Sequence, residues 1–113
     1  MTDTKELQRV IAEWSRATFG GDEDRTETYR VGRRWGMWAH LMKEHKELLD
    51  ALTAGDLKKI RNELADCTVL LFDMAEISGI DIGEAMLEKL EVNKKRKWGK
   101  PDANGCVEHV DGD

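Results

Sequence analysis

The stretch that decides the fold is residues 56–79, DLKKIRNELADCTVLLFDMAEISG. Ile60, Leu64, Cys67, Leu71 and Met74 recur in it at steps of three and four, the period of an α-helix with one apolar face. Asp56 stands where a helix wants a capping acceptor, and Gly79 where it must stop. Working outward, Asp3 with Glu6, Asp24 with Glu27 and Asp81 with Glu84 each set a capping acid three residues before a second acid. Upstream, a first helix is expected over 4–18, with Leu7, Val10, Ile11, Trp14 and Ala17 on one face, a stop at Gly20-Gly21 and a polar turn over 22–24. A second should run over 25–54 and end at Gly55, with Gly32 and Gly36 as points of bending or breakage. In it Trp35, Trp38, Met42, Leu49 and Leu52 repeat at helical spacing, and Trp35 and Trp38 are expected in the core. Downstream, a fourth helix over 82–98 carries Met86, Leu87, Leu90 and a basic cluster.

These elements predict an all-α fold: a four-helix bundle of antiparallel helices over 1–98, followed by an irregular polar tail over 99–113. Composition agrees, since 113 residues allow one domain, and 36% charged with only 6% aromatic residues suits amphipathic helices better than a strand-rich sandwich. With 23 acidic against 18 basic residues, a net charge of -5 argues against the whole chain being a nucleic-acid binder. Cys67 and Cys106 are far apart and imply no disulfide, and Cys67 falls in an apolar pattern where it should pack. A charged N-terminus and the lack of a long apolar run lead us to expect a soluble cytoplasmic protein with no membrane partner.

Chemistry is concentrated in two acidic motifs. Glu44 and Glu47 are three apart in the second helix, Glu63 and Asp66 three apart in the third, so each pair projects from one helical face. Brought together, the four make a hard-oxygen site suited to Mg²⁺, with Mn²⁺ as the alternative. The same spacing also arises on solvated surfaces, as in Glu88 with Glu91. What favours function is that Glu63 and Asp66 interleave with Leu64, Cys67, Leu70 and Leu71, and carboxylates near a core need a compensating cation. Asp73 lies near the same face, where it reads first as a salt-bridge or capping partner and second as a fifth acid of the site, while His40, one turn before Glu44, is a candidate to face the site.

On the fourth helix Lys89, Asn93, Arg96 and Lys97 form a stripe of cationic and amide donors, as a polyphosphate requires. Compensation of the helix dipole is the plainer account of the basic cluster, but it does not explain the asparagine. Four tryptophans in so short a chain invite stacking, with Trp14 or Trp98 beside a base.

The segments HLMKEHKELLDAL, NELADCTVLLFDMAEISGID and EKLEVNKKRKWGKPD, with a later EHV, resemble the all-α nucleoside triphosphate pyrophosphohydrolases of the MazG kind, nearest to the phage-type dATP/dGTP diphosphohydrolase-like domains. The resemblance spans roughly residues 40–110, with a weaker echo in LQRVIAEW. It implies a bundle that dimerises or assembles further and uses Mg²⁺ to cleave between the α and β phosphates, releasing a nucleoside monophosphate and pyrophosphate. Carried over, it makes Glu44, Glu47, Glu63 and Asp66 the catalytic metal ligands, and Lys89, Asn93 and Arg96, with Lys97 as an addition, the phosphate holders. The chain departs from the common pattern at Lys43 and Asn62, where many members carry an acid. Two other classes compete: a noncatalytic helical nucleotide- or partner-binding module, and a nucleic-acid accessory protein acting through residues 94–97. A domain this small closes a pocket more readily in pairs, so a homodimer is expected.

Overall fold

The computed structural model describes residues 3–19 and 27–110; the expected Gly20-Gly21 stop, the turn over 22–24 and the Asp24 cap lie outside them. The elements are α1 (Thr4–Phe19), α2 (Glu27–Ala54), α3 (Leu57–Ile77) and α4 (Ile82–Lys95). The fold is all-α, and no described helix is long and apolar enough to cross a membrane. The chain forms two compact units, Met1–Ile82 and Gly83–Asp113.

In the first unit α2 and α3 form an antiparallel hairpin closed by Gly55 and Asp56. Gly55 takes φ +67, the left-handed geometry that ends helices at little cost only for glycine. Its neighbour starts the next helix: Asp56 Oδ1 accepts from the backbone N–H groups of Lys58 (3.1 Å) and Lys59 (3.2 Å). Asp3 begins α1 in the same way, accepting from Glu6 N at 2.8 Å. α2 runs unbroken through Gly32 and Gly36, where a bend was expected; among the described residues no atom beyond the helix's own neighbouring backbone lies within 4 Å of where a Cβ would stand at either.

α1 lies against α3, but not through the face its apolar residues define. Its buried residues are Gln8, Ala12 and Ser15, spaced at four and three, while Leu7, Val10 and Trp14 are exposed. Short side chains let two helix backbones approach, and that contact outweighs the burial of a larger apolar face. Gln8 fastens the join: its Nε2 donates to Glu76 Oε2 and to Ile80 O, both at 2.8 Å, and its Oε1 accepts from Ile82 N at 3.0 Å. The core continues with Met37, Leu41 and Ala51 of α2 and Cys67, Phe72 and Ala75 of α3. Cys67 is buried as expected, and neither cysteine is in a disulfide.

The expected placement of Trp35 and Trp38 in the core is corrected: they are 66% and 51% exposed in the single chain, touching each other edge to face. Met42, Leu49, Leu52, Leu64 and Leu71 are exposed as well. The helical period is right and the phase is not, because the α2–α3 contact uses the neighbouring stripe.

In the second unit α4 ends at Lys95, three residues short of the expected Trp98. There the Trp98 indole turns back to donate from Nε1 to Asn93 O at 2.9 Å, and Trp98 forms an antiparallel bridge with His109. The bridge is framed by Gly99 N to Glu108 O and Val110 N to Lys97 O, each 2.9 Å. The residues expected as an irregular tail therefore form a bonded loop, turned at Asp102, whose Oδ1 accepts from Asn104 N (2.8 Å) and Cys106 N (2.9 Å).

Candidate active site

Glu44 comes from the middle of α2, Glu63 and Asp66 from adjacent turns of α3. The hairpin brings them together, so that one carboxylate oxygen from each lies within 4.8 Å of the others. Glu44 and Glu63 are half-buried and Asp66 is exposed. Glu44 Oε2 and Glu63 Oε2 are buried without a hydrogen-bond partner, a costly state for acceptors that water cannot reach. Glu47, the fourth acid of the sequence pattern, is exposed and lies outside this close group, though its charge still acts on Glu63.

Burial pushes Glu63 up to about 7, helped by the close approach of the Glu44 carboxyl group and by the charges of Glu47, Glu44 and Asp66. The same acids, after burial itself, raise the Cys67 thiol. Three crowded carboxylates, two of them with an orphaned buried oxygen, fit a divalent cation, whose charge and demand for oxygen ligands answer both problems. His40 Nε2 lies 3.3 Å from Glu44 Oε1, placing the imidazole beside the cluster.

A cavity of about 330 Å³ opens next to these acids, with Glu44, Asp66 and His40 on its wall. Trp14 and Phe19 line it too, their rings 5.5 Å apart and edge to face, alongside Met37, Val69 and Leu70. Arg33 and Asp73 supply its remaining charge. Asp73 Oδ2 accepts from Ser15 Oγ at 2.5 Å and lies 3.5 Å from Arg33 Nη2, which also donates to Ser15 Oγ at 3.2 Å. Asp73 thus has the salt-bridge partner the sequence suggested, and it also faces the cavity. Sequence reasoning missed Arg33, Ser15 and Phe19; the signal that could have found Ser15 is the Gln8–Ala12–Ser15 stripe, polar and small where a core face was sought.

Lys89, Asn93, Arg96 and Lys97 belong to the second unit. The early end of α4 leaves Arg96 and Lys97 beyond the helix, and Arg96 Nη1 donates to Asn93 Oδ1 at 3.2 Å.

Comparison with known proteins gives this arrangement its context. The family model for dATP/dGTP pyrophosphohydrolase matches residues 7–113. The "dATP/dGTP diphosphohydrolase" of Cyanophage S-2L is 35% identical over 107 residues, covering 95% of this chain and 88% of that protein. That of Salmonella phage PMBT28 is 33% identical over 105 residues, 93% of this chain but only 31% of the longer phage protein. Among solved structures, the Cyanophage S-2L MazG-like pyrophosphohydrolase bound to dGDP and three catalytic Mn²⁺ ions per active site superimposes with a TM-score of 0.71 at 30% identity, covering 99% of this chain and 97% of the other. Helices that gather carboxylates beside an aromatic-walled cavity define, with these relatives, an all-α nucleotide pyrophosphohydrolase of the MazG-like class. Within it, the chain belongs to the dATP/dGTP pyrophosphohydrolase family.

Proposed function

We propose that the chain uses a divalent cation to split dATP and dGTP between the α and β phosphates, releasing the deoxynucleoside monophosphate and pyrophosphate. The observation that carries this reading is the meeting of Glu44, Glu63 and Asp66 within 4.8 Å at the wall of a cavity sized for a small molecule. Its support from relatives is the dGDP and Mn²⁺ of the S-2L structure.

In this mechanism Glu44, Glu63 and Asp66 would hold the cation, and Glu47 would add negative charge at the cluster's edge. Mg²⁺ is the assigned ion and Mn²⁺ its substitute; when bound, the ion supplies Lewis acidity at the phosphate oxygens. A carboxylate of the cluster orients the attacking water and accepts its proton, so no side-chain nucleophile is needed. Glu44 is steadied by His40. Lys89, Asn93, Arg96 and Lys97 are assigned to the polyphosphate, on their chemistry and sequence pattern, where they would offset charge on the departing pyrophosphate. Trp14 gives the cavity a face on which a base can lie.

The active form is assigned as a homodimer. Val31, Trp35, Trp38, Met42, Leu49 and Leu52 lie on one stripe of α2, Leu57, Leu64 and Leu71 on one stripe of α3, and all are exposed in the single chain. A second copy covers both stripes with the same chemistry. We take the setting to be the cytoplasm, where Mg²⁺ and nucleoside triphosphates are available.

The test is pyrophosphate release from the canonical ribo- and deoxyribonucleoside triphosphates, with Mg²⁺, with Mn²⁺ and with a chelator. Chelator-sensitive release that favours dATP and dGTP, and is abolished in a folded Glu63→Ala protein, is the expected result. Full activity in that variant would remove Glu63 from the mechanism; silence across the panel would favour a noncatalytic helical module.

A further inference from the structure

Gly36 is a residue that neither the backbone nor the packing of α2 requires. Glycine is the poorest helix former after proline, yet it stands in the interior of a 28-residue helix. The described residues whose positive φ calls for glycine are Gly55, Gly79 and Gly105, and Gly36 is not one of them. No close helix contact excludes a side chain either: among the described residues, nothing beyond the helix's own neighbouring backbone lies within 4 Å of where its Cβ would stand. Gly32, one turn earlier, shares all of this. What separates the two is that Gly36 borders the cavity of about 330 Å³, and Gly32 is not among the described residues that do.

Gly36, His40 and Glu44 follow one another at steps of four along α2, and all three line the cavity. Eight residues of helix rise about 12 Å, so this wall leads from a carboxylate of the acid cluster, past an imidazole, to a stretch where a side chain is missing. Trp14 and Phe19 border the same space from α1. A flat ring lying on an aromatic face has a second face to cover. Glycine lets that face come against helix backbone, where any longer residue would stand in between.

We propose that Gly36 makes room for the ring system of the bound nucleotide: the open space before its missing Cβ is the end of the cavity away from the acids, and a side chain there would fill it. The inference rests on the nucleotide reading above and names the wall residue that accommodates the base-bearing end. At Gly36, therefore, a side chain stabilises the helix and obstructs the ligand; at Gly32 it only stabilises the helix.

The experiment compares Gly36→Ala and Gly36→Leu with Gly32→Ala and Gly32→Leu in the full chain. Calorimetric titration with dGMP and with inorganic pyrophosphate, both in Mg²⁺, separates a ligand that carries a base from one that engages the cation alone. Thermal unfolding without ligand reports the helix. Both alanine variants should melt about 4 °C above the parent protein. Gly36→Leu should bind dGMP at least about tenfold more weakly, with Gly36→Ala in between, while pyrophosphate binds both as it binds the parent. The Gly32 variants should bind both ligands unchanged. Parent-like dGMP affinity in Gly36→Leu would overturn the proposal. So would equal losses of dGMP and pyrophosphate, which mark damage to the acid cluster, or a matching loss in Gly32→Leu, which marks packing of the helix rather than room in the cavity. Should Gly36→Leu fail to fold, Gly36→Ala decides on the same comparison. A parent protein that binds dGMP sustains the nucleotide reading whichever way the variants fall; one that binds pyrophosphate but not dGMP removes that reading and this inference with it.

Discussion

Replacing Gln8 with alanine removes three hydrogen bonds at the join of α1, α3 and the start of α4, to Glu76 Oε2, Ile80 O and Ile82 N. The side chain is 5% exposed, so water cannot take its place without opening the contact. Counting about 1.5 kcal/mol for the bond to a carboxylate and about 1 kcal/mol for each of the neutral ones, the loss comes to about 3 to 4 kcal/mol. For 113 residues, an unfolding entropy of about 2.1 cal/mol/K per residue converts this to a Tm lowered by about 13 to 17 °C. Thermal unfolding followed by helical circular dichroism measures it. Gln8→Glu serves as the second probe, because a carboxylate cannot donate and would face Glu76; its deficit should be larger at pH 7 than at pH 4, where protonation restores a donor. A Gln8→Ala protein melting within about 3 °C of the parent would refute the reasoning, since even two neutral bonds predict more. Because α1 carries Trp14, Ser15 and Phe19, the same variant should also raise KM.

Other expectations follow from the acids, the thiols and the exposed stripes. Glu63, near 7 in the folded chain against an ordinary 4.5, binds its proton more tightly folded than unfolded. Its contribution to stability is therefore full below about pH 4.5 and lost as pH rises through 7; melting curves in chelator should show this decline, and Mn²⁺ or Glu63→Gln should flatten it. Cys67, its thiol raised first by burial and then by the surrounding acids, should stay unmodified by a thiol reagent at pH 8 while the exposed Cys106 reacts, as mass spectrometry of the labelled protein would reveal. On the proposed homodimer, the parent protein should sediment as a dimer at micromolar concentration and Trp35→Glu as a monomer; a monomeric parent protein would refute the pairing, and a dimeric variant would place the interface elsewhere.

What the sequence made legible was local. Asp56 and Gly55 announce the hairpin through their own backbone preferences, and Glu63 with Asp66 share a face because three residues nearly complete a turn. The meeting of Glu44 with that pair follows once the turn is placed. Trp35 shows the limit: periodicity says a face wants cover, not which partner covers it, so a residue expected inside is exposed in the single chain. Trp98 shows another, since the helix reads as continuing but ends earlier, with the indole bonded to Asn93 O and a strand bridge to His109 beyond it. The meeting of Ser15 and Arg33 with Asp73 was out of reach for a third reason: the three are 18 and 40 residues apart in sequence and meet only through the packing of α1 and α2 on α3.

The two glycines in α2 lie close to Arg33 and a few turns ahead of Glu44. Each lowers the local cost of opening the helix by about 1 kcal/mol relative to alanine, and neither is buttressed by a neighbouring atom. Amide protons in the first third of α2 should accordingly exchange with solvent sooner than those around Glu44, where the helix is locked to α3 through Leu41 and Ala51. One continuous rod thus has a pliant end and a stiff one. Glu44, the carboxylate that α2 contributes to the cluster, occupies the stiff end, while Arg33 is mounted where the backbone can yield.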